Sequence, residues 1–143
     1  MAQQDLRAMV NQAVQEVSDE LGMDYLEDNY KNLLAFKLNI RPTLTASTEV
    51  AFTMYSREQC KLGTCRADIV VQRWGSRVIE GEIERFVVEG MVLELKAGVS
   101  SQSETHKRQI RKYLRHYPEP YQGLLIYFAV GSTPFVIVSV PQF

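Results

Sequence analysis

The run Val92-Leu93-Glu94-Leu95-Lys96-Ala97 places a carboxylate and an ammonium two positions apart in an otherwise apolar segment. Read as a β-strand, its successive side chains point to opposite faces, so Leu93, Leu95 and Ala97 share one face and Glu94 and Lys96 the other. The first face is core. The second carries charges into a packed sheet, which is expensive unless they are paired, bound to a metal or open to a cleft. A chain with this run is therefore expected to fold around a sheet that keeps one polar working surface among its strands.

The rest of the chain can supply such a sheet. It has 143 residues, 45% of them hydrophobic, which fits one globular domain spanning residues 1–143 and argues against disorder or a disulfide scaffold. The formal charge of −1 excludes a protein that coats nucleic acid by bulk electrostatics, so any such binding must use a local patch. Charge is unevenly spread. Residues 1–30 are acidic with Arg7 as their only base, whereas Lys107, Arg108, Arg111, Lys112 and Arg115 form a basic cluster. Cys60 and Cys65, with only His106 and His116 elsewhere, make no recognisable zinc set and read as reduced thiols. The N-terminus lacks a basic segment followed by an apolar one, and no apolar run approaches a membrane span. The expectation is a soluble, intracellular protein without membrane association, whether cytoplasmic, nuclear or in a virion.

Periodicity gives the order of elements. Apolar residues from Leu6 to Leu21 recur at helical spacing, predicting an amphipathic helix within residues 1–21 that stops near Gly22. Leu26, Tyr30, Leu33, Leu34 and Leu38 predict a second helix, ended by Arg41-Pro42. The period then changes to two. Val50, Phe52 and Met54 alternate with their neighbours, as do Cys65, Ala67, Ile69 and Val71 after a polar turn, predicting a hairpin. Residues 73–90, punctuated by Gly75, Gly81 and Gly90, read as one or two short strands in an inserted hairpin. Ser101 and Glu104 have capping-box spacing before the helical stripe Ile110, Tyr113, Leu114 and Tyr117, which Pro118 and Pro120 close. Gly123 to Val130 is apolar without alternation, as in a strand covered on both faces, and Phe135 to Val140 follows a turn. The fold class is α/β: two helices, a three-stranded meander, a crossover helix, a strand returning parallel to the sheet, and one more strand.

In that meander Asp68 and the pair Glu94 and Lys96 can meet at one end of the sheet. Two carboxylates offer hard oxygen ligands suited to magnesium or manganese, and a nearby lysine can orient an attacking water or stabilise phosphorane charge. Ala67-Asp68 followed by Glu94-Leu95-Lys96 resembles the PD-(D/E)xK signature of the restriction-endonuclease-like nucleases. Leu21-Gly22, Leu26-Glu27 and Tyr30 resemble the motif that names the GxxExxY family within that superfamily; Gln109 with Tyr113 resembles its downstream glutamine and tyrosine, and Gly123 to Phe128 its last core strand. The resemblance runs from about Gly22 to about Val138.

It implies a mixed sheet flanked by helices and a metal-dependent nuclease acting on DNA. Asp68 and Glu94 would be metal ligands, Lys96 the catalytic lysine, Glu27 a further carboxylate at the metal or water, and Gln109 a neighbour able to touch a phosphate or Lys96. Asp24 departs from the resemblance where a second glycine is usual, and the link from Ile69 to Leu93 is longer than usual, suggesting a protruding hairpin.

Each residue also has a plainer reading. Glu94 and Lys96 fit the solvent face of an amphipathic strand, and Asp68 and Glu27 fit ordinary turn or helix positions; their joint order favours the site. Arg108, Arg111, Lys112 and Arg115 lie on one helical stripe that reads as a solvated face or as a contact to a phosphate backbone. His106 and His116 read as surface or interface residues, and Arg73 and Trp74 as base-stacking or interface residues. Expected partners are nucleic acid and a second copy pairing through the inserted hairpin. The alternative is a non-catalytic module of this fold in a larger nucleoprotein or viral assembly.

Overall fold

The computed structural model describes residues 5–99, 103–116 and 121–141. Its first helix, α1 (Leu6–Leu21), begins where Asp5 Oδ1 accepts the Ala8 N–H at 2.8 Å. It ends at Gly22, whose φ of 70° breaks the helical path while its N–H returns to the Ser18 carbonyl. The second, α2 (Glu27–Asn39), starts with the Leu26 N–H donating to Asn29 Oδ1 at 3.0 Å and the Asn29 N–H donating back to the Leu26 carbonyl at 2.9 Å. Arg41-Pro42 follows its end, as the sequence predicts. The Asn39 side chain then bonds both the N–H and the C=O of Ala46, tying the helix to the first strand.

Five strands form one sheet in chain order: β1 (Leu44–Tyr55), β2 (Lys61–Ile79), β3 (Glu82–Ala97), β4 (Tyr121–Val130) and β5 (Thr133–Val140). Only the β3–β4 pairing is parallel, and the crossover between them carries α3 (Glu104–Leu114). This is the expected α/β mixed sheet with flanking helices, consistent with a restriction-endonuclease-like core. The α3 cap is Ser103, whose hydroxyl accepts the Thr105 N–H. Ser101, Tyr117, Pro118 and Pro120 lie outside the described residues.

Two apolar layers sandwich the sheet. On one side α1 and α2 bury Val10, Val14, Val17, Tyr30, Leu34 and Leu38 against Ile69, Val71, Leu93, Leu95, Leu124, Ile126 and Phe128. On the other, α3 lays Ile110, Tyr113 and Leu114 on Val70, Val92, Leu125 and Tyr127. The alternation of β4 between layers explains why its sequence is apolar throughout. The opposed faces expected for β3 are present, with Leu93 and Leu95 in the first layer.

Two expectations need correction. Residues 73–90 do not form separate short strands, because β2 and β3 continue through them as an antiparallel ribbon turned at Glu80-Gly81, both with positive φ. Gly75 and Gly90 are strand residues beside bulky neighbours: a Cβ on Gly90 would lie 2.3 Å from the Tyr121 ring. Nor do Cys65, Ala67, Ile69 and Val71 share one layer. Ile69 and Val71 pack with α1 and α2, whereas Ala67 and Cys65 pack with α3. On β1, Ala46 and Val50 are divided in the same way. Between the two stretches sits Glu49 with a φ of 53°, a left-handed residue that costs about 1–2 kcal/mol without glycine's freedom. The hairpin thereby exchanges its apolar face at one step.

Candidate active site

That step is where Asp68 sits. The β2–β3 ladder ends at the Ile69 and Leu93 pair, so Asp68 and Glu94 occupy the next position, where the strands part. Parting frees backbone groups that a full ladder would have used. Asp68 Oδ2 accepts one of them, the Leu95 N–H, at 2.8 Å. The divergence of two strands thus fixes an aspartate against the polar side of β3.

Glu94 is only 4% exposed, and its Oε2 has no hydrogen-bond partner among the described residues. Its Oε1 lies 3.6 Å from Lys96 Nζ. Burial pushes its carboxyl up to about 8, helped by the charge of Asp68 and a hydrogen bond to it, with Lys96 opposing and Glu27 adding to the shift. Near neutral pH the group therefore holds its proton beside Asp68. An orphaned buried oxygen on a carboxyl with a raised pKa is a feature that packing alone does not account for.

Glu27 enters from the other helical layer. It is the first residue of α2, near enough to the end of β3 for the Ala97 backbone to favour its ionised form. Burial raises its carboxyl, Asp68 adds to the rise, and Lys96 opposes it, so the Lys96 ammonium bears on both Glu27 and Glu94. Residues Gly22 and Tyr30 hold this helix start in place. The Tyr30 hydroxyl donates to the Gly22 carbonyl at 2.7 Å, and its ring stacks on Phe128 with centroids 4.5 Å apart.

The α3 side closes the surface. Gln109 Nε2 donates to the Tyr113 hydroxyl at 2.6 Å rather than reaching Lys96. The Tyr113 phenol, pushed up to about 12 by burial and then by Glu94, lies within the field of the carboxylates. Arg108, Lys112 and Arg115 are exposed on the opposite face, and Arg111 pairs with Glu104 at 3.0 Å. The basic stripe is thus set apart from the carboxylates by the body of the helix.

Sequence reasoning missed two neighbours. His106 is not a free surface residue: its Nδ1 is 2.9 Å from the hydroxyl of buried Tyr127, which pairs with Lys96 across the β3–β4 ladder. Burial, then Lys96, lowers its pKa. Lys31, 8% exposed, bonds Asp28 at 3.0 Å and Glu49. Its position four residues after Glu27 was the available signal, since that spacing puts both on one helix face.

Asp68, Glu94, Glu27 and Lys96 are therefore brought into one electrostatic cluster. Among the described residues no three His, Cys, Asp or Glu side chains are already gathered at cation-binding distances. The donors nevertheless fit a hard divalent ion in kind, and the unpartnered Glu94 oxygen gives it a vacant lone pair to meet. No helix among the described residues is long and apolar enough to cross a membrane. No curated protein matches the sequence. A family model described as the PD-(D/E)XK nuclease superfamily matches residues 4–136, nearly the whole chain. The chain belongs to the PD-(D/E)XK nuclease superfamily.

Proposed function

We propose that the protein is a metal-dependent nuclease that hydrolyses phosphodiester bonds in DNA, with Asp68, Glu94 and Glu27 holding magnesium or manganese and Lys96 assisting the attacking water. Superfamily membership supports nuclease chemistry, and members typically use divalent metals. The observation that carries the reading is the buried Glu94 carboxyl, set against Asp68 and 3.6 Å from the Lys96 ammonium, with one oxygen unpartnered among the described residues.

A bound divalent ion supplies Lewis acidity at a phosphoryl oxygen and lowers the pKa of water. The protein's own groups do the rest. To hold the ion Glu94 would lose its proton to solvent, while Asp68 stays fixed by the Leu95 N–H. Glu27, at the start of α2, would add a third carboxylate to the set holding the ion. Lys96 orients water or offsets charge developing on phosphorus. Gln109 and Tyr113 flank the centre as a hydrogen-bonded pair. The exposed Arg108, Lys112 and Arg115, with Arg111, offer a phosphate-backbone contact outside the reacting centre.

A second copy could supply the second strand's centre through the β2–β3 ribbon, where Val78 and Ile83 pair across the strands at 71% and 77% exposure. An isolated two-stranded ribbon is marginal in water, which favours a covered arm. Its Glu80, Glu82 and Glu84 disfavour nucleic acid there.

The test is cutting of plasmid and single-stranded DNA by purified protein with magnesium or manganese. Glu94→Ala and Lys96→Ala should each lower the rate by roughly 100-fold or more. Cutting that survives both changes contradicts the reading. Metal binding without any cutting would favour a non-catalytic module in a nucleoprotein assembly.

A further inference from the structure

We infer that Lys31 and Glu49 form a latch that positions Asp68, so that one turn of α2 governs both Glu27 and the aspartate across the site. The inference deepens the proposed function, because it names how that site is preorganised. Four observations meet at one place. The β1–β2 ladder pairs Thr48 with Ile69 and Val50 with Ala67, and Glu49 and Asp68 lie between those two steps. Both strands exchange apolar layers there. Glu49 holds a φ of 53°, which glycine or asparagine would adopt more readily. Lys31, 8% exposed, bonds the Glu49 carboxylate from α2.

A glutamate in a left-handed step inside a strand needs something outside the strand to keep it there. Lys31 supplies that hold: its side chain is largely shielded while Glu49 stays solvent-exposed, and the charge-assisted bond between them ties the strand residue to α2. Asp28, bonded to Lys31 at 3.0 Å, completes the pairing from the same helical turn. The left-handed step turns β2 away from β3 at Asp68, and that parting frees the Leu95 N–H which Asp68 accepts. Lys31 and Glu49 are positioning residues: they act through Asp68 and touch no reacting atom.

The direct readout is hydrogen exchange at the Leu95 amide, measured against Leu93 on the same strand. In Lys31→Met the Leu95 amide should exchange about tenfold faster relative to Leu93. Lys31→Met with Glu49→Gly should return it to within about threefold of the parent, because glycine adopts the step unaided. Mn²⁺ affinity should fall and recover in parallel. Glu49→Val, which resists positive φ, should repeat the loss, so the idea stays testable if Lys31→Met does not fold. An unchanged Leu95-to-Leu93 ratio in the folded single variants, or no recovery in the double variant, overturns the latch. If exchange responds as expected but the parent binds no Mn²⁺, the latch stands and the metal-ligand reading fails.

Discussion

Replacing Glu94 by glutamine should make the metal-free protein more stable while abolishing its activity. The carboxyl titrates near 4.5 in an unfolded chain and at about 8 in the folded protein. Below pH 4.5 it is protonated in both states and the substitution changes little. As pH rises from there, the unfolded state loses its proton first, so the parent loses stability by about 1.4 kcal/mol per pH unit until the folded group ionises. At pH 7 the accumulated loss is about 3 kcal/mol, and above pH 8 it levels at about 5 kcal/mol.

Glutamine cannot ionise, keeps the volume, and can donate to Asp68 as the protonated acid does. Thermal unfolding with EDTA should therefore show the two proteins close at pH 4.5. At pH 7 the variant should melt about 10 °C higher, using 2–4 °C per kcal/mol for a chain of this size. Magnesium should narrow or reverse the order, since a ligand bound only by the native parent adds stability by mass action. A Glu94→Gln protein that melts below the parent at pH 8 in EDTA, or a difference that does not change with pH, would refute the reasoning.

Gly90→Ala should destabilise the fold by about 1–3 kcal/mol, because a Cβ there meets the Tyr121 ring at 2.3 Å; an unchanged denaturant midpoint would contradict that packing. Replacing Arg108, Lys112 and Arg115 by glutamine should weaken DNA binding and flatten its salt dependence by about 0.7–0.9 per lost phosphate contact, whereas an unchanged slope would return the stripe to a solvated face. Val78→Lys with Ile83→Lys should convert a dimer to a monomer in light scattering without loss of melting temperature, and a parent already monomeric at micromolar concentration would remove the arm from the account.

Much of this architecture was legible before any coordinates, and the reasons are physical. Period-two alternation exposes the two faces of β3 directly, and an apolar run without alternation marks β4, because both signals come from which side meets water. Helices α1 and α2 carry stops that act locally, a glycine and a proline. What escaped was set by tertiary packing. Gly75 and Gly90 looked like punctuation, but they are small because Phe86, Val88 and Tyr121 crowd them within paired strands. The layer exchange at Glu49 leaves no trace in the pattern, since an alternating sequence reads the same on either side of a left-handed step. His106 was invisible as a site neighbour because its link to Lys96 runs through Tyr127, two strands and a helix apart in sequence. The cluster of Asp68, Glu94 and Lys96 was readable as an ordered set, whereas the raised Glu94 carboxyl follows from burial that only the packed sheet defines.

The most direct measurement is anomalous diffraction from a crystal equilibrated with Mn²⁺ above pH 8, where Glu94 has lost its proton. A strong peak within ligand distance of the Asp68 and Glu94 carboxylates is the expected result. A peak elsewhere, or an empty cluster in a crystal that binds manganese at other carboxylates, would contradict the account.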